Sequence, residues 1–197
     1  LPISDMGPEG LNEFSCYFYP QLDKEGLIID DRANGGGNVS PMILERLSRE
    51  PYRLTMRRGS ARIGTVPDAV QVGPKVCLIN KYSASDGDLF PWGFRALGLG
   101  KLIGTRTWGG IVGISGSLPY MDGTDIRVPF FTSFDPKTGS WIIENHGVDP
   151  DILIDNDPVK EWNGEDQQLD RAIQEVMKEL QDRKPLPGVP TPRDFSK

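Results

Sequence analysis

The stretch "KVCLINKYSASDGDLF" (residues 75–90) leads from an apolar run into a segment with helical spacing. The pattern predicts a buried strand over 75–80 and a helix over 86–97, with Ser83 and Ser85 in the corner between them. A serine at such a corner is most often a helix N-cap, whose oxygen accepts a free backbone N–H. The other interpretation is a nucleophile, which gains from exposure and from the positive end of the helix. Taken by itself, the stretch favours the cap.

Apolar runs and amphipathic segments alternate along the rest of the chain, which predicts an α/β fold with a sheet at its centre. The expected strands are 26–32, 53–57, 75–80 and 101–105, with a loop over 58–74 and a Gly-rich β-ribbon over 108–143. The expected helices are 8–19, 86–97 with an early interruption at Pro91 and Gly93, 169–180, and one that begins at Ser40-Pro41. Ser40 is expected to be the N-cap of that helix, because Pro41 suits the first helical position.

Composition argues against several classes of function. The chain has 197 residues and a net charge of −6, which argues against nucleic acid or an anionic membrane as the main partner. No run reaches the roughly 18 apolar residues of a transmembrane helix. One histidine and two cysteines do not suffice for a usual zinc site, so no structural metal is expected. One domain is expected over 1–183, followed by a Pro-rich tail over 184–197.

Three glycines, Gly35 to Gly37, follow the strand that ends in Asp30-Asp31. Ligands gather at the carboxyl ends of strands in such sheets, and glycines let backbone N–H groups approach them. The run lacks the spacing of a dinucleotide loop and of a Walker phosphate loop, which leaves a tight turn or an oxyanion hole. With Arg32 adjacent, Asp30 and Asp31 are interpreted as carboxylates that organise this loop rather than as catalytic groups.

A further acidic position lies in "IIENHGVDPDI" (142–152). Glu144 could orient a catalytic base, and His146, the only histidine, could be such a base. A histidine before Gly-Val-Asp-Pro is more often a surface-loop residue, and a glutamate near the sheet can be structural. Both interpretations stay open on these residues alone.

Four motifs, taken in order, resemble those of the tricorn proteases, serine peptidases related to the tail-specific proteases. They are "GLIIDDRANGGGN", "NKYSASDGDLF", "IGTRTWGGIVGI" and "IENHGVDPDI". The opening "ISDMGPEGLNEF" also resembles the start of the last catalytic subdomain of that family, so the resemblance covers roughly residues 1–180. It implies a Clp-protease/crotonase-like spiral fold, with a central mixed sheet flanked by helices.

The resemblance also implies roles for four residues. Ser85 matches the nucleophile, and Glu144 matches the carboxylate that completes the charge relay by way of a serine hydroxyl. The backbone N–H groups of Gly36 and Asp86 match the oxyanion hole. The implied activity is hydrolysis of short peptides through an acyl-enzyme on Ser85, without metal or cofactor.

The general base has no match within the chain. Tail-specific proteases carry a lysine twenty-five positions after the serine, and here that position is Gly110. Tricorn proteases use a histidine, preceded by a serine, in an upstream subdomain that a PDZ domain separates from the matched region. His146 does not match that base. The chain is therefore expected to be inactive alone and to need the upstream subdomain as its partner.

The same resemblance implies peptide substrates and a homo-oligomer for the full-length protein, while composition gives no nucleic-acid or membrane partner. The cytoplasm is the expected compartment, with the periplasm left open. The alternative function is a non-catalytic ligand-binding or scaffold domain of the same fold. A crotonase-type acyl-CoA enzyme is a more distant alternative.

Overall fold

A computed structural model describes residues 1–60 and 62–191, with the backbone alone at 115–118. The helices are α1 (Pro8–Phe18), α2 (Ser40–Leu47), α3 (Asp86–Ala96), α4 (Pro158–Trp162) and α5 (Gln167–Asp182), with a 3-10 turn at Tyr19–Gln21. The strands are β1 (Leu27–Asp30), β2 (Arg53–Met56), β3 (Ile63–Val66), β4 (Lys75–Ile79), β5 (Gly100–Gly104), β6 (Gly113–Pro119), β7 (Asp125–Phe131) and β8 (Ile152–Leu153). This alternation confirms the α/β class.

The central sheet has the strand order β1-β4-β5-β8, and its strand pairs are parallel. The expected mixed sheet is thus corrected, because the antiparallel pairs β2–β3 and β6–β7 form two separate ribbons. All residues of β4 are buried, as in a strand covered on both faces. Asp30 at the end of β1 lies opposite Leu78 of β4, so the glycine run and the serine corner leave the same edge of the sheet.

Side chains of β4 alternate between two hydrophobic layers. Cys77 and Ile79 belong to the larger layer, which α1, α2 and α3 cover. Val76 and Leu78 belong to the smaller layer, where α5 packs. The aromatic members of the larger layer are Phe14, Phe18, Phe90 and Phe94. Because α3 is anchored by two of these rings, its first residue is held at the carboxyl end of β4.

Helix α3 runs without a break past Pro91, where an interruption was expected. Both Pro91 and Gly93 are buried. A Cβ atom at Gly93 would lie 2.5 Å from Leu44 Cδ1, so the glycine allows α2 and α3 to approach closely. Tertiary packing here overrides the local preference of both residues.

Ser40 is the first residue of α2 rather than its N-cap, which is Val39. The Ser40 hydroxyl donates to Asp86 Oδ1 at 2.5 Å, and the Ser40 N–H donates to Asp86 Oδ2 at 2.9 Å. A buried carboxylate needs such donors, so the hydroxyl serves Asp86 instead of its own helix. The expected cap was therefore wrong.

Residues 58–74 contain a strand where a loop was expected. The strand is β3, which pairs antiparallel with β2 between Ile63 and Met56 and between Val66 and Arg53. Each residue of β3 is only partly buried. A strand that is only partly buried needs no run of apolar residues, and that run is the pattern by which a buried strand is recognised in a sequence. The sequence of β3 therefore did not indicate a strand.

Beyond α5 the described chain contains no further helix or strand, and the Arg183 side chain donates to the carbonyl of Glu25 at 3.3 Å. Residues 192–197 of the expected tail lie outside the described residues. The division at residue 183 stays a prediction. Within the described residues, no helix combines the length and the apolar character that crossing a membrane requires.

Replacing Leu102 by alanine should lower the free energy of unfolding by about 2–5 kcal/mol, because the side chain is fully buried in the larger layer. Leu153, on β8 of the same sheet, is 74% exposed, and its replacement by alanine should change the free energy by less than about 0.5 kcal/mol. Urea unfolding measures both variants. Equal losses at the two positions would contradict this assignment of the core.

Candidate active site

Ser85 occupies a sharp turn between β4 and α3. Its backbone has φ +57° and ψ −117°, which is the conformation that glycine usually supplies at the second residue of a type II′ turn. The N–H of Gly87 donates to the carbonyl of Ala84 at 2.8 Å and closes this turn. A residue other than glycine in such a conformation costs of order 1–3 kcal/mol and persists only where its surroundings impose it. The corner is thus a strained strand-to-helix turn with a partly exposed serine at its tip.

Neighbouring backbone holds the corner in place. The carbonyl of Asn34 accepts the N–H of Ala84 at 2.8 Å. The Ser83 hydroxyl donates to the carbonyl of Asp31 at 2.8 Å, and the Ser83 carbonyl accepts the N–H of Trp108 at 3.0 Å. Ser83 is completely buried and serves this scaffold, which leaves Ser85 as the accessible hydroxyl of the pair.

Gly36 lies directly against the serine corner. Its φ is +96°, and a Cβ atom there would lie 2.6 Å from Ser85 Cβ and 3.0 Å from the nitrogen of Asp86. Only glycine permits so close an approach. The N–H of Gly36 donates to Asn34 Oδ1 at 2.9 Å. The glycine run therefore reaches the site, while the Gly36 N–H has a partner within the protein.

Asp86 is the first residue of α3, so its N–H is one of those that a helix leaves without an intrahelical acceptor. Within the described residues this N–H has no hydrogen-bond partner. The Asp86 carboxylate is buried and bonded to Ser40, which ties the start of α3 to the start of α2. The side chain thus fixes the helix end, and the backbone N–H stays free beside Gly36.

The acidic pair organises the glycine run, as the sequence predicts. Asp30 binds Arg32 through two bonds of 2.8 and 2.6 Å, and Arg32 also binds Asp166 at 2.8 Å. Asp31 is completely buried and accepts a bond from Asn34 Nδ2 at 2.9 Å. Burial raises the pKa of Asp31 well above its usual range, and the nearby aspartates raise it further. Neither carboxylate contacts the Ser85 hydroxyl in the described chain.

Glu144 lies in a turn on the far side of residues 107–112. Its Oε2 atom accepts the N–H groups of Ile111 and Val112 at 2.7 and 2.9 Å. Its Oε1 atom has no hydrogen bond within the described residues, and the side chain is half-buried. The carboxylate is therefore fixed by one oxygen, with the other available to a further donor.

His146, the one candidate for a base within the chain, has no hydrogen bond to Ser85 in the described structure, and a glycine stands where a dyad lysine would lie. The only histidine, His146, is exposed and bonded to Asp149 through Nε2 at 2.8 Å. At Gly110, a Cβ atom would lie 2.1 Å from the ring of Trp108. The indole thus occupies the space that a side chain at position 110 needs.

The structure places two further buried polar residues, Asn34 and Asp88, beside the candidate site, and the sequence did not single them out. Asn34 links the glycine run, Asp31 and the serine corner through its side chain and carbonyl. Asp88, three residues after Ser85, accepts the N–H of Gly109 at 2.7 Å. In the sequence, Asn34 resembles a turn residue and Asp88 an acidic residue of a first helical turn. Their burial is the signal that distinguishes them, and it arises only from the tertiary fold.

Comparisons with known proteins identify a family and several relatives. The family described as Peptidase family S41 matches residues 3–154. The chain is 43% identical over 184 residues to the tricorn protease of Thermoplasma volcanium, a match that covers 92% of the chain and 17% of that protein. It is 37% identical over 173 residues to tricorn protease homolog 1 of Streptomyces coelicolor, covering 88% of the chain and 16% of that protein.

A solved structure shares the fold. The crystal structure of the tricorn protease superposes with a TM-score of 0.86 at 41% identity, covering 92% of this chain and 18% of that one. The spiral α/β fold expected from the sequence is therefore confirmed. The chain spans about one sixth of the length of these relatives.

Replacing Gly36 by alanine should lower the free energy of unfolding by roughly 2 kcal/mol or more, because the new methyl group meets Ser85 and the φ is unfavourable. Gly35 is exposed and has open space around its Cα, so Gly35→Ala should change it by less than about 0.5 kcal/mol. Chemical denaturation of the two variants makes the comparison. A Gly36→Ala protein as stable as Gly35→Ala would refute the close approach.

Proposed function

The chain belongs to peptidase family S41, and on that basis we propose that it is the C-terminal, nucleophile-bearing subdomain of a tricorn-like serine peptidase. Because it spans about one sixth of its relatives, the activity belongs to a longer protein of which this chain forms one part. The observation that carries the proposal is the strained Ser85 turn with Gly36 packed against it. A helix cap needs no such strain.

Ser85 serves as the nucleophile in this proposal. Its Oγ atom attacks the carbonyl carbon of a peptide bond, and its proton passes to a general base. The amine leaves with a proton from that base, and water then hydrolyses the acyl-enzyme. The turn holds the hydroxyl at the mouth of α3, where the helix end favours developing negative charge.

The oxyanion forms beside two backbone positions. The N–H of Asp86 has no partner in the described chain and can therefore donate directly to the oxyanion. The N–H of Gly36 contributes when it exchanges its bond to Asn34 Oδ1 for the substrate oxygen. Gly36 also keeps the space above the corner open, since any larger residue meets Ser85.

The base comes from outside this chain. His146 is bonded to Asp149, and Trp108 covers the position of a dyad lysine. We assign the base to a histidine, preceded by a serine, in an upstream subdomain beyond a PDZ domain. The unbonded Oε1 of Glu144 accepts the hydroxyl of that serine and completes the relay. Because the nucleophile and the base lie in different subdomains, the chain alone is inactive. Its partners are the upstream subdomain, peptide substrates and further copies of the full-length protein.

In the full-length protein, a fluorophosphonate probe should form its adduct on Ser85, and Ser85→Ala should abolish the adduct and reduce peptide hydrolysis by at least roughly 1,000-fold. Mass spectrometry of the labelled peptide locates the adduct. Ser60→Ala, at an exposed serine between β2 and β3, is the control and should label normally. Hydrolysis that survives Ser85→Ala, or an adduct on another residue, would overturn the assignment of Ser85 as the nucleophile. A wild-type protein that neither labels nor hydrolyses peptides would favour the scaffold alternative.

His146→Gln should leave the labelling rate of the full-length protein unchanged within about twofold, because the ring is paired with Asp149 on the surface. The 197-residue chain alone should label at a rate no greater than that of its Ser85→Ala variant. Rapid labelling of the isolated chain, lost in His146→Gln, would show that the base lies within it.

A further inference from the structure

Asp88 is a buried carboxylate that the proposed chemistry leaves without a role. It lies in the first turn of α3, and none of its surface is exposed. Its Oδ1 atom accepts the N–H of Gly109 at 2.7 Å, and its Oδ2 atom has no hydrogen-bond partner in the described chain. Burial raises the pKa of Asp88, and polar neighbours, first the Thr107 side chain and then the Gly109 N–H, offset part of that rise. An apolar residue would avoid this desolvation, so packing alone does not explain Asp88.

The segment to which Asp88 binds, residues 107–112, is here called the crossing loop. On its α3 side, the N–H of Trp108 donates to the carbonyl of Ser83 at 3.0 Å, and Asp88 holds Gly109. These two bonds attach the loop to the turn that carries Ser85.

The other side of the crossing loop holds Glu144. Glu144 Oε2 accepts the N–H groups of Ile111 and Val112 at 2.7 and 2.9 Å. The carbonyl of Gly109 accepts the N–H of Asn145 at 2.7 Å. Gly109 is therefore bonded to Asp88 through its N–H and to the Glu144 turn through its carbonyl.

The crossing loop has no free space at Gly109. The φ of Gly109 is +90°, and a Cβ atom there would lie 2.4 Å from the nitrogen of Gly147 and 2.8 Å from the backbone of His146. Backbone thus packs directly on backbone. A displacement of Gly109 is transmitted to the turn that contains Glu144.

We propose that Asp88 is a positioning residue: by holding the N–H of Gly109, it fixes the crossing loop and with it the separation between Ser85 and Glu144. The inference rests on the proposed function, since that separation matters only if the two residues act in one relay. Asp88 itself touches neither substrate nor base. Its effect passes through two hydrogen bonds of 2.7 Å: the N–H of Gly109 donates to Asp88, and the N–H of Asn145 donates to the carbonyl of Gly109.

The expected effect lies in the chemical step. A displacement of about 1 Å in a catalytic arrangement can lower the rate roughly 100-fold, so Asp88→Ala should lower kcat for peptide hydrolysis by about that factor. KM should change little, because Asp88 makes no substrate contact. Asp88→Asn keeps an oxygen that accepts the Gly109 N–H, and its kcat should recover to within about fivefold of wild type.

The test compares variants of the full-length protein in peptide hydrolysis and in the rate of fluorophosphonate labelling at Ser85. Glu175→Ala is the matched control, because Glu175 is also a buried carboxylate but lies on α5, bonded to Lys101 and Arg171. Its loss should lower the unfolding temperature and leave kcat unchanged. If Asp88→Ala does not fold, Asp88→Glu replaces it, since the longer side chain displaces Gly109 and should also lower kcat.

Loss of kcat in Asp88→Ala with unchanged KM, recovery in Asp88→Asn and no loss in Glu175→Ala would support the inference. It is overturned if Asp88→Ala, or Asp88→Glu in its place, hydrolyses peptides at the wild-type kcat. It is equally overturned if Asp88→Asn is as impaired as Asp88→Ala. A wild-type protein that forms no Ser85 adduct would overturn the proposed function itself. If the wild type is labelled and Asp88→Ala is labelled equally fast, the proposed function stands and only the role of Asp88 is overturned.

Discussion

The candidate site depends on the close approach of Gly36 to the turn at Ser85, where a Cβ atom on Gly36 would lie 2.6 Å from Ser85 Cβ. A serine with φ +57° is unfavourable by itself, and it persists because its flanks are fixed on both sides. Ala84 is bonded to the carbonyl of Asn34, and a Cβ atom at Gly87 would lie 2.5 Å from that same carbonyl. Asn34 and the glycine run that follows it therefore enclose the turn in its strained form, and Ser85 stays partly exposed. The same contacts impose the strained backbone of Ser85 and set the position of its hydroxyl.

That contact in turn explains why so many polar groups are buried under the site. The glycine run can lie at the edge of β1 and β4 only if its own polar groups find partners. Asn34 Oδ1 accepts the N–H of Gly36, Asp31 accepts a bond from the Asn34 side chain, and Asp86 binds the start of α2. Stability alone would favour apolar residues at such positions. We interpret these carboxylates and amides as the structure that keeps two backbone N–H groups beside Ser85.

The sequence predicted the elements whose pattern is local. The apolar run of β4 and the helical spacing of α5 are examples, and both formed as expected. It did not predict β3, whose residues are only partly buried. It also did not predict the role of Ser40, whose hydroxyl donates to the carboxylate of Asp86, 46 residues away in the sequence. The positive φ of Ser85 is imposed by residues distant in sequence, so the local pattern does not indicate it. The family resemblance, rather than that pattern, therefore favours Ser85 as a nucleophile over a helix cap. Asp88 was missed for the same reason: only the fold buries it.

The most direct test of the proposed site is a structure of the full-length protein with a peptide boronate, which mimics the tetrahedral intermediate. We expect a covalent bond from Ser85 Oγ to boron. We also expect one boronate oxygen about 2.7–3.1 Å from the nitrogen of Asp86 and from a backbone nitrogen of the glycine run. An adduct on another residue, or a Ser85 adduct whose oxygens all point away from both nitrogens, would overturn the assignment of Ser85 and its oxyanion donors.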